Sequence, residues 1–404
     1  MAPSIWRDCR TVSNFLALER NPSPSPSIWC LFGVRVVATM MDVEGWDDTV
    51  RWKRRRKTQE PVSRLPIQQL PRRLPALGGL RIGSSCSGTL AEGWALKKLQ
   101  VPHVHIFACD ENDACRRFAS ENFHVHQWVN DVHNPEHRAL PQVDIYVAGW
   151  SCQPFSKAGH QRGAQDDRSQ IIWPIMGYVR KAMPKLVVLE NVNTILAKRY
   201  EDHMNEVMKC LNAIRNDDEE PAYTWSMRVL CSRDFQLPQI RKRVYIIGVR
   251  TDSGQTPTWP APLPRVGLSA IYDAPHDQIP ITDNHVLGKT ATENITASCQ
   301  SITSAGLVAE DYDFVIDVHE GRGGCLTFDC MPTITRSRGA SRAYVFTRWG
   351  TRVSLSELMR CQGFVPEDVR LRSVTERQAG EMIGNAMSIN VLQHVIRANL
   401  HACH

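Results

Sequence analysis

The sequence predicts an α/β fold, a mostly parallel, doubly wound sheet, joined to a second, small, loop-rich lobe. Three observations lead there. From Leu80 onward, short apolar runs alternate with helical stretches, the rhythm of a sheet covered on both faces. Residues 251–330 break it: they are loop-rich and hold 3 Lys+Arg against 11 Asp+Glu. Residues 1–75 show almost no periodicity; Asn21–Pro26 alternates with proline, and Pro61, Pro66, Pro71 and Pro75 recur too often for a helix.

Taken in order, Arg81–Cys86, His105–Cys109, Asp144–Ala148, Leu186–Leu189 and Val244–Val249 read as buried strands. Glu92–Leu99, Asp113–Asn122, Ile171–Met183 and His203–Asn216 read as the helices between them. Thr375–Leu400 returns to helical texture: Thr375 and Gln378 suit a capping box, and Ile389, Leu392 and Ile396 share one face. Three parts are expected: a basic, poorly folded extension over 1–75, a catalytic domain over 76–250 plus 365–404, and the small lobe with its return segment over 251–364.

Composition narrows the function. The longest apolar stretch, Ile28–Met41, is interrupted by Arg35 and falls short of the roughly 20 residues of a membrane helix. The 13 cysteines are odd in number, scattered and free of CxxC pairs, which points to reduced thiols and an intracellular protein. The net charge of +6 resides in residues 1–80, with 13 Lys+Arg against 7 Asp+Glu, centred on Arg51–Lys57. Such a run suits nuclear import or phosphate contact; its bland reading is a solvated linker. Residues 331–377 hold 9 Arg and 4 acids, so Arg336, Arg338, Arg342, Arg348 and Arg352 are candidates for a phosphate backbone. His103/His105 and His124/His126 have metal-ligand spacing but no paired cysteines beside them; they read as exposed strand-end histidines, and no metal is expected.

Ligands of such sheets bind beyond the carboxyl ends of the strands. There stands Gly149-Trp150-Ser151-Cys152-Gln153-Pro154-Phe155-Ser156, directly after a strand. A loop cysteine so placed can act as a nucleophile once its thiolate is favoured. Glu190 closes the next buried strand, with Asn191 and Val192 after it; a parallel neighbour would bring it to the same rim as Cys152, where a carboxyl can donate to a ring nitrogen. Alternation puts Gln239, Arg241 and Arg243 on one face of the strand start that follows.

These motifs, with Gly384-Asn385-Ala386-Met387, Met331–Thr335 and Arg352–Phe364, come in an order that resembles the cytosine carbon-5 methyltransferases, over about Leu80 to Leu400. The resemblance implies a class I, Rossmann-like methyltransferase fold, S-adenosylmethionine as cofactor, and a small lobe that recognises the target. By it, Cys152 is the thiolate that adds to carbon 6 of a flipped-out cytosine. Glu190 holds or protonates ring N3. Arg243, with Arg241, binds O2 and steadies Glu190; the Trp150 carbonyl accepts from the exocyclic amine, and Gln239 lies with the substrate-binding residues. Cys86, Ser87, Gly88 and Thr89 meet the methionine part of the cofactor. Asp110 takes the ribose, Asp131 the adenine, and Asn385 packs beside the first loop.

The chain departs from the family at Cys86, where a phenylalanine is usual, at Leu90-Ala91, where a glycine pair is usual, and at Ser151, where proline is usual. Weakened cofactor binding is the expected consequence. The partner is expected to be DNA, with RNA, a transfer RNA above all, as the alternative; a fold retained for nucleic-acid binding without turnover is a third reading. No membrane or protein partner is indicated.

Overall fold

In the computed structural model residues 79–150, 170–273, 288–321 and 325–403 are described. The first half runs β1 (Leu80–Ser85), α1 (Ala91–Lys98), β2 (His103–Cys109), α2 (Asp113–Asn122), β3 (Val125–Val129), α3 (Pro135–Arg138), β4 (Ile145–Gly149), α4 (Ile172–Ala182), β5 (Leu186–Val192), α5 (Glu201–Asn212), β6 (Tyr223–Cys231) and β7 (Lys242–Arg250). The second half runs α6 (Lys289–Ser304), β8 (Phe314–Asp317), β9 (Cys325–Phe328), α7 (Arg336–Ser341), β10 (Tyr344–Phe346), β11 (Thr351–Arg352), α8 (Leu355–Cys361), α9 (Glu376–Asn385) and α10 (Ile389–Asn399).

The main sheet has the order β3-β2-β1-β4-β5-β7-β6. Its first five strands are parallel, and β7 pairs antiparallel with both β5 and β6. The crossovers wind outward in both directions from β1 and β4, which leaves a crevice beyond their carboxyl ends. All five strands expected from the sequence are present, with ends shifted by a few residues; the edge strands β3 and β6 are not among them. Strand β7 reverses because only a short segment separates it from β6, and a parallel partner would need a long crossover.

One face of the sheet packs α1 and α10 around Ile82, Trp94, Leu392 and Ile396; the other packs α4 and α5 around Phe107, Tyr146, Val179 and Val207. The capping box of Thr375 and Gln378 is formed, and Ile389, Leu392 and Ile396 are all buried. The small lobe contains a four-stranded antiparallel sheet, β11-β10-β8-β9, with α6 laid on it through Ala291, Ile295 and Cys299. It is stitched to the main domain, not hung from it. Helices α7 and α9 approach so closely that a Cβ on Gly339 or Gly380 would strike the other's backbone.

Candidate active site

The rim is built by register. Gly149, the last residue of β4, pairs with Glu190 of β5, and Val192 pairs with Arg243 of β7. Cys152 lies outside the described residues; β4 ends at Gly149, three residues before it and one residue later than the sequence predicts. Glu190 stands inside β5 and does not close it; the strand runs on to Val192. Its carboxyl is buried, 3.2 Å from Nε of Arg243. Burial pushes its pKa up, and Arg243 and Arg241 oppose the rise. A side chain at position 149 would meet Met387 Cε at 2.7 Å and Glu190 Oε2 at 3.5 Å. The glycine therefore leaves room for Met387, a residue without a role in the sequence reading, which packs on the rim beside the Glu190 carboxyl at ordinary contact distance.

Gln239 and Arg241 precede the strand that carries Arg243. Strand β7 starts only at Lys242, and both residues turn into the interior before it. Arg241 donates to the carbonyls of Ile334 (2.7 Å), Gly384 (3.2 Å) and Ala386 (2.8 Å). Gln239 donates to the carbonyl of Cys361 at 2.9 Å and accepts from the Ile334 amide. These bonds tie both residues to the small lobe and the C-terminal turn, while the charge of Arg241 still acts on Glu190. The Trp150 carbonyl already accepts from Asn191 Nδ2 at 3.4 Å, which leaves its second lone pair.

At the β1 end, Cys86, Gly88 and Leu90 all have left-handed backbone, with φ of 53°, 51° and 54°. The Ser87 hydroxyl is clasped to Cys109, and the Gly88 amide donates to Asp110 at 2.8 Å. Asp110 also accepts from the Asn112 amide; burial raises its pKa against these two bonds. The half-buried Cys86 is kept a thiol, because burial and then Asp110 push its pKa well up. Leu90 shows why a glycine suits its position: φ is positive there, and a leucine pays about 1–2 kcal/mol in backbone strain. Its side chain offsets that cost by packing, fully buried, on Ala108 and Ala119. Asp131 is exposed, two residues beyond β3, and caps the turn at His133. Asn385 is exposed at the end of α9.

The arginines expected to meet phosphate are largely spent at home. Arg336 pairs with Glu381 (2.8 Å), Arg338 with Asp317 (2.8 Å) and Glu320 (3.1 Å), Arg342 with Glu376 (3.0 Å) and Arg348 with Asp313 (2.6 Å). Among the described residues no cluster of His, Cys, Asp or Glu could hold a metal ion. His124 and His126 are exposed, but His105 is buried beside Glu92, contrary to the expectation of an exposed strand-end histidine.

A doubly wound sheet with a polar loop after β1, a strand-end carboxylate after β2 and a buried Glu–Arg pair between β5 and β7 defines a class I methyltransferase. The chain belongs to the C-5 cytosine-specific DNA methylases: that family's model matches residues 78–401. Members are enzymes that take their methyl group from S-adenosylmethionine. The type II methyltransferase M.NgoBI of Neisseria gonorrhoeae is 25% identical over 78% of this chain and 88% of its own length. The orphan methyltransferase M.SPRI of Bacillus phage SPR is 30% identical over 45% of this chain, a match that spans 40% of the phage protein. A triple mutant of Spodoptera frugiperda DNMT2 shares the fold, with a TM-score of 0.52 at 16% identity over 80% of this chain and 99% of its own.

The residues after β1 fit the cofactor. A Cβ at Gly88 would meet nothing nearer than 4.0 Å, so the loop leaves open space above it. Thr89 Oγ1 is buried without a partner among the described residues, and Asp110 keeps lone pairs beyond its two backbone bonds.

Proposed function

We propose that the protein methylates carbon 5 of a flipped-out cytosine in DNA, through a covalent bond from Cys152. One observation carries the reading: the buried Glu190 carboxyl pairs with Arg243 beside Gly149, three residues before Cys152. S-adenosylmethionine supplies the electrophilic methyl group. In this reading the Cys152 thiolate bonds to carbon 6, and the electron pair of the ring's double bond becomes available at carbon 5. Glu190, whose pKa burial raises, holds or protonates N3 as charge builds there. Arg243 holds Glu190 and reaches O2, and the free lone pair of the Trp150 carbonyl takes the exocyclic amine. After transfer the carbon 5 proton leaves, the sulfur–carbon 6 bond breaks and the thiolate returns. Ser87, Gly88, Thr89 and Asp110 seat the cofactor, with Asp131 and Asn385 at its edges.

The test is trapping. A duplex carrying 5-fluorocytosine should form an adduct stable to denaturing electrophoresis, because fluorine cannot leave as a proton would. Cys152→Ser should abolish it. Adduct surviving in that variant would overturn the nucleophile. Turnover on transfer RNA with none on DNA would overturn the substrate.

A further inference from the structure

Beneath the β1 loop lies a buried polar relay that the catalytic reading leaves unused. Tyr146 Oη donates to Ser85 Oγ at 2.7 Å, and Ser85 Oγ lies 2.7 Å from His137 Nε2. All three side chains are buried, His137 with no exposure at all. A serine has one proton to give. With Tyr146 donating to it, that proton goes to Nε2, so the imidazole carries its own proton on Nδ1. Burial, and then the charge of Arg138, lower the pKa of His137 to about 4, and the ring is neutral.

The relay sits where the loop is hardest to hold. Ser85 is the last residue of β1, and the next residue, Cys86, takes the left-handed conformation. Ser87, on its other side, is clasped to Cys109. Cys86 is thus bracketed by two serine anchors, one hydroxyl on β2 and the other on the relay. A non-glycine residue in that conformation costs about 1–2 kcal/mol and persists only where its surroundings over-determine it. His137 also packs on the ring of Tyr178. A hydrocarbon side chain would fill that space without burying an Nδ1 that has no partner among the described residues. What a hydrocarbon cannot do is accept the Ser85 proton.

We propose that His137 is a positioning residue for S-adenosylmethionine: through Ser85 it holds residues 86–89 in the shape that receives the cofactor. This rests on the β1 loop being the cofactor's seat. The experiment is calorimetric titration of S-adenosylmethionine into the full-length protein without DNA, for His137→Leu, Ser85→Ala, the double variant and His137→Gln. Each of the first two should raise Kd about tenfold, the cost of one buried hydrogen bond. The double variant should be no worse than either single one, because both cut the same relay. His137→Gln, which restores an acceptor, should recover most of the affinity. Turnover at saturating cofactor should stay within about twofold of wild type, since only capture depends on the loop's preparation. Ser85→Ala removes a single oxygen and decides the matter if His137→Leu does not fold. Unchanged Kd in Ser85→Ala, additive losses in the double variant, or a fall in turnover with Kd unchanged would each overturn the proposal. A wild-type protein that binds no S-adenosylmethionine would overturn the seat itself, an outcome distinct from these.

Discussion

Glu92 is a carboxyl with no exposure to spare, set 3.9 Å from the ring of the equally buried His105. Burial lifts its pKa from 4.5 to about 7, while His105 falls to about 3 for the same reason. The sign follows from the unfolded chain, where the carboxyl ionises near 4.5. Below that, both states hold the proton and burial costs nothing. Between about 4.5 and 7 the unfolded state releases a proton that the folded state keeps, so stability falls as pH rises. Above about 7 the loss is complete, roughly 3 kcal/mol. His105 acts oppositely: it stays neutral in the fold, and its contribution is lost as pH falls from 6.5 toward 3. Glu92→Gln should therefore unfold at higher urea than wild type at pH 8, with most of the advantage gone at pH 5. An advantage equal at both pH values would mean that Glu92 is not the titrating group. The sequence marks the loop after β1 as unusual at Cys86 and Leu90, but not why. The cause lies in φ angles and in two buried acid and imidazole networks, and residue types alone carry neither.

At the scale of elements, legibility follows burial. β1, β2, β4, β5 and β7 are read from their apolar runs because both of their faces are covered. β3 and β6 are the two edge strands: β3 fully buries only Val129, and the middle residues of β6, Met227, Arg228 and Val229, are exposed, so no buried run announces either. Direction is not written in composition at all, and β7 reads the same whether parallel or antiparallel. The alternation that joins Gln239, Arg241 and Arg243 presumes a strand that begins only at Lys242. The two arginines consequently have different duties, and exchange should separate them. Arg241→Lys cannot reach three carbonyls with the same fork and should cost about 3 kcal/mol in urea unfolding. Arg243→Lys, at the rim beside Glu190, should leave the unfolding midpoint nearly unchanged and lower turnover instead. Equal destabilisation by both would return Arg243 to a structural role.

At the scale of the whole molecule, charge that looks contradictory in the sequence resolves in the fold. The acidic stretch 251–330 and the arginine-rich stretch 331–377 hold the two halves of several ion pairs. Asp313, Asp317 and Glu320 take Arg348 and Arg338, while Arg336 and Arg342 turn to Glu381 and Glu376 on α9. Arginines engaged in this way project little free positive charge toward a phosphate backbone. The net +6 of the chain belongs to residues 1–80, with six basic residues among the seven from Arg51 to Lys57. That segment lies outside the described residues, so the argument is one of charge alone: long-range attraction to DNA should come largely from the extension. Each phosphate neutralised releases condensed counterions, so its contribution appears as the slope of log affinity against log salt. Deleting residues 1–75 should weaken non-specific DNA binding and flatten that slope. Turnover at saturating DNA should survive, because Cys152, Glu190 and Arg243 all follow Leu80. If the same run directs the protein to the nucleus, as we propose, a fluorescent fusion lacking it should lose nuclear accumulation. An unchanged slope and unchanged location would reduce the run to a linker. Lost turnover at saturation would mean that the extension folds onto the catalytic domain, and the boundary near residue 76 would have to move.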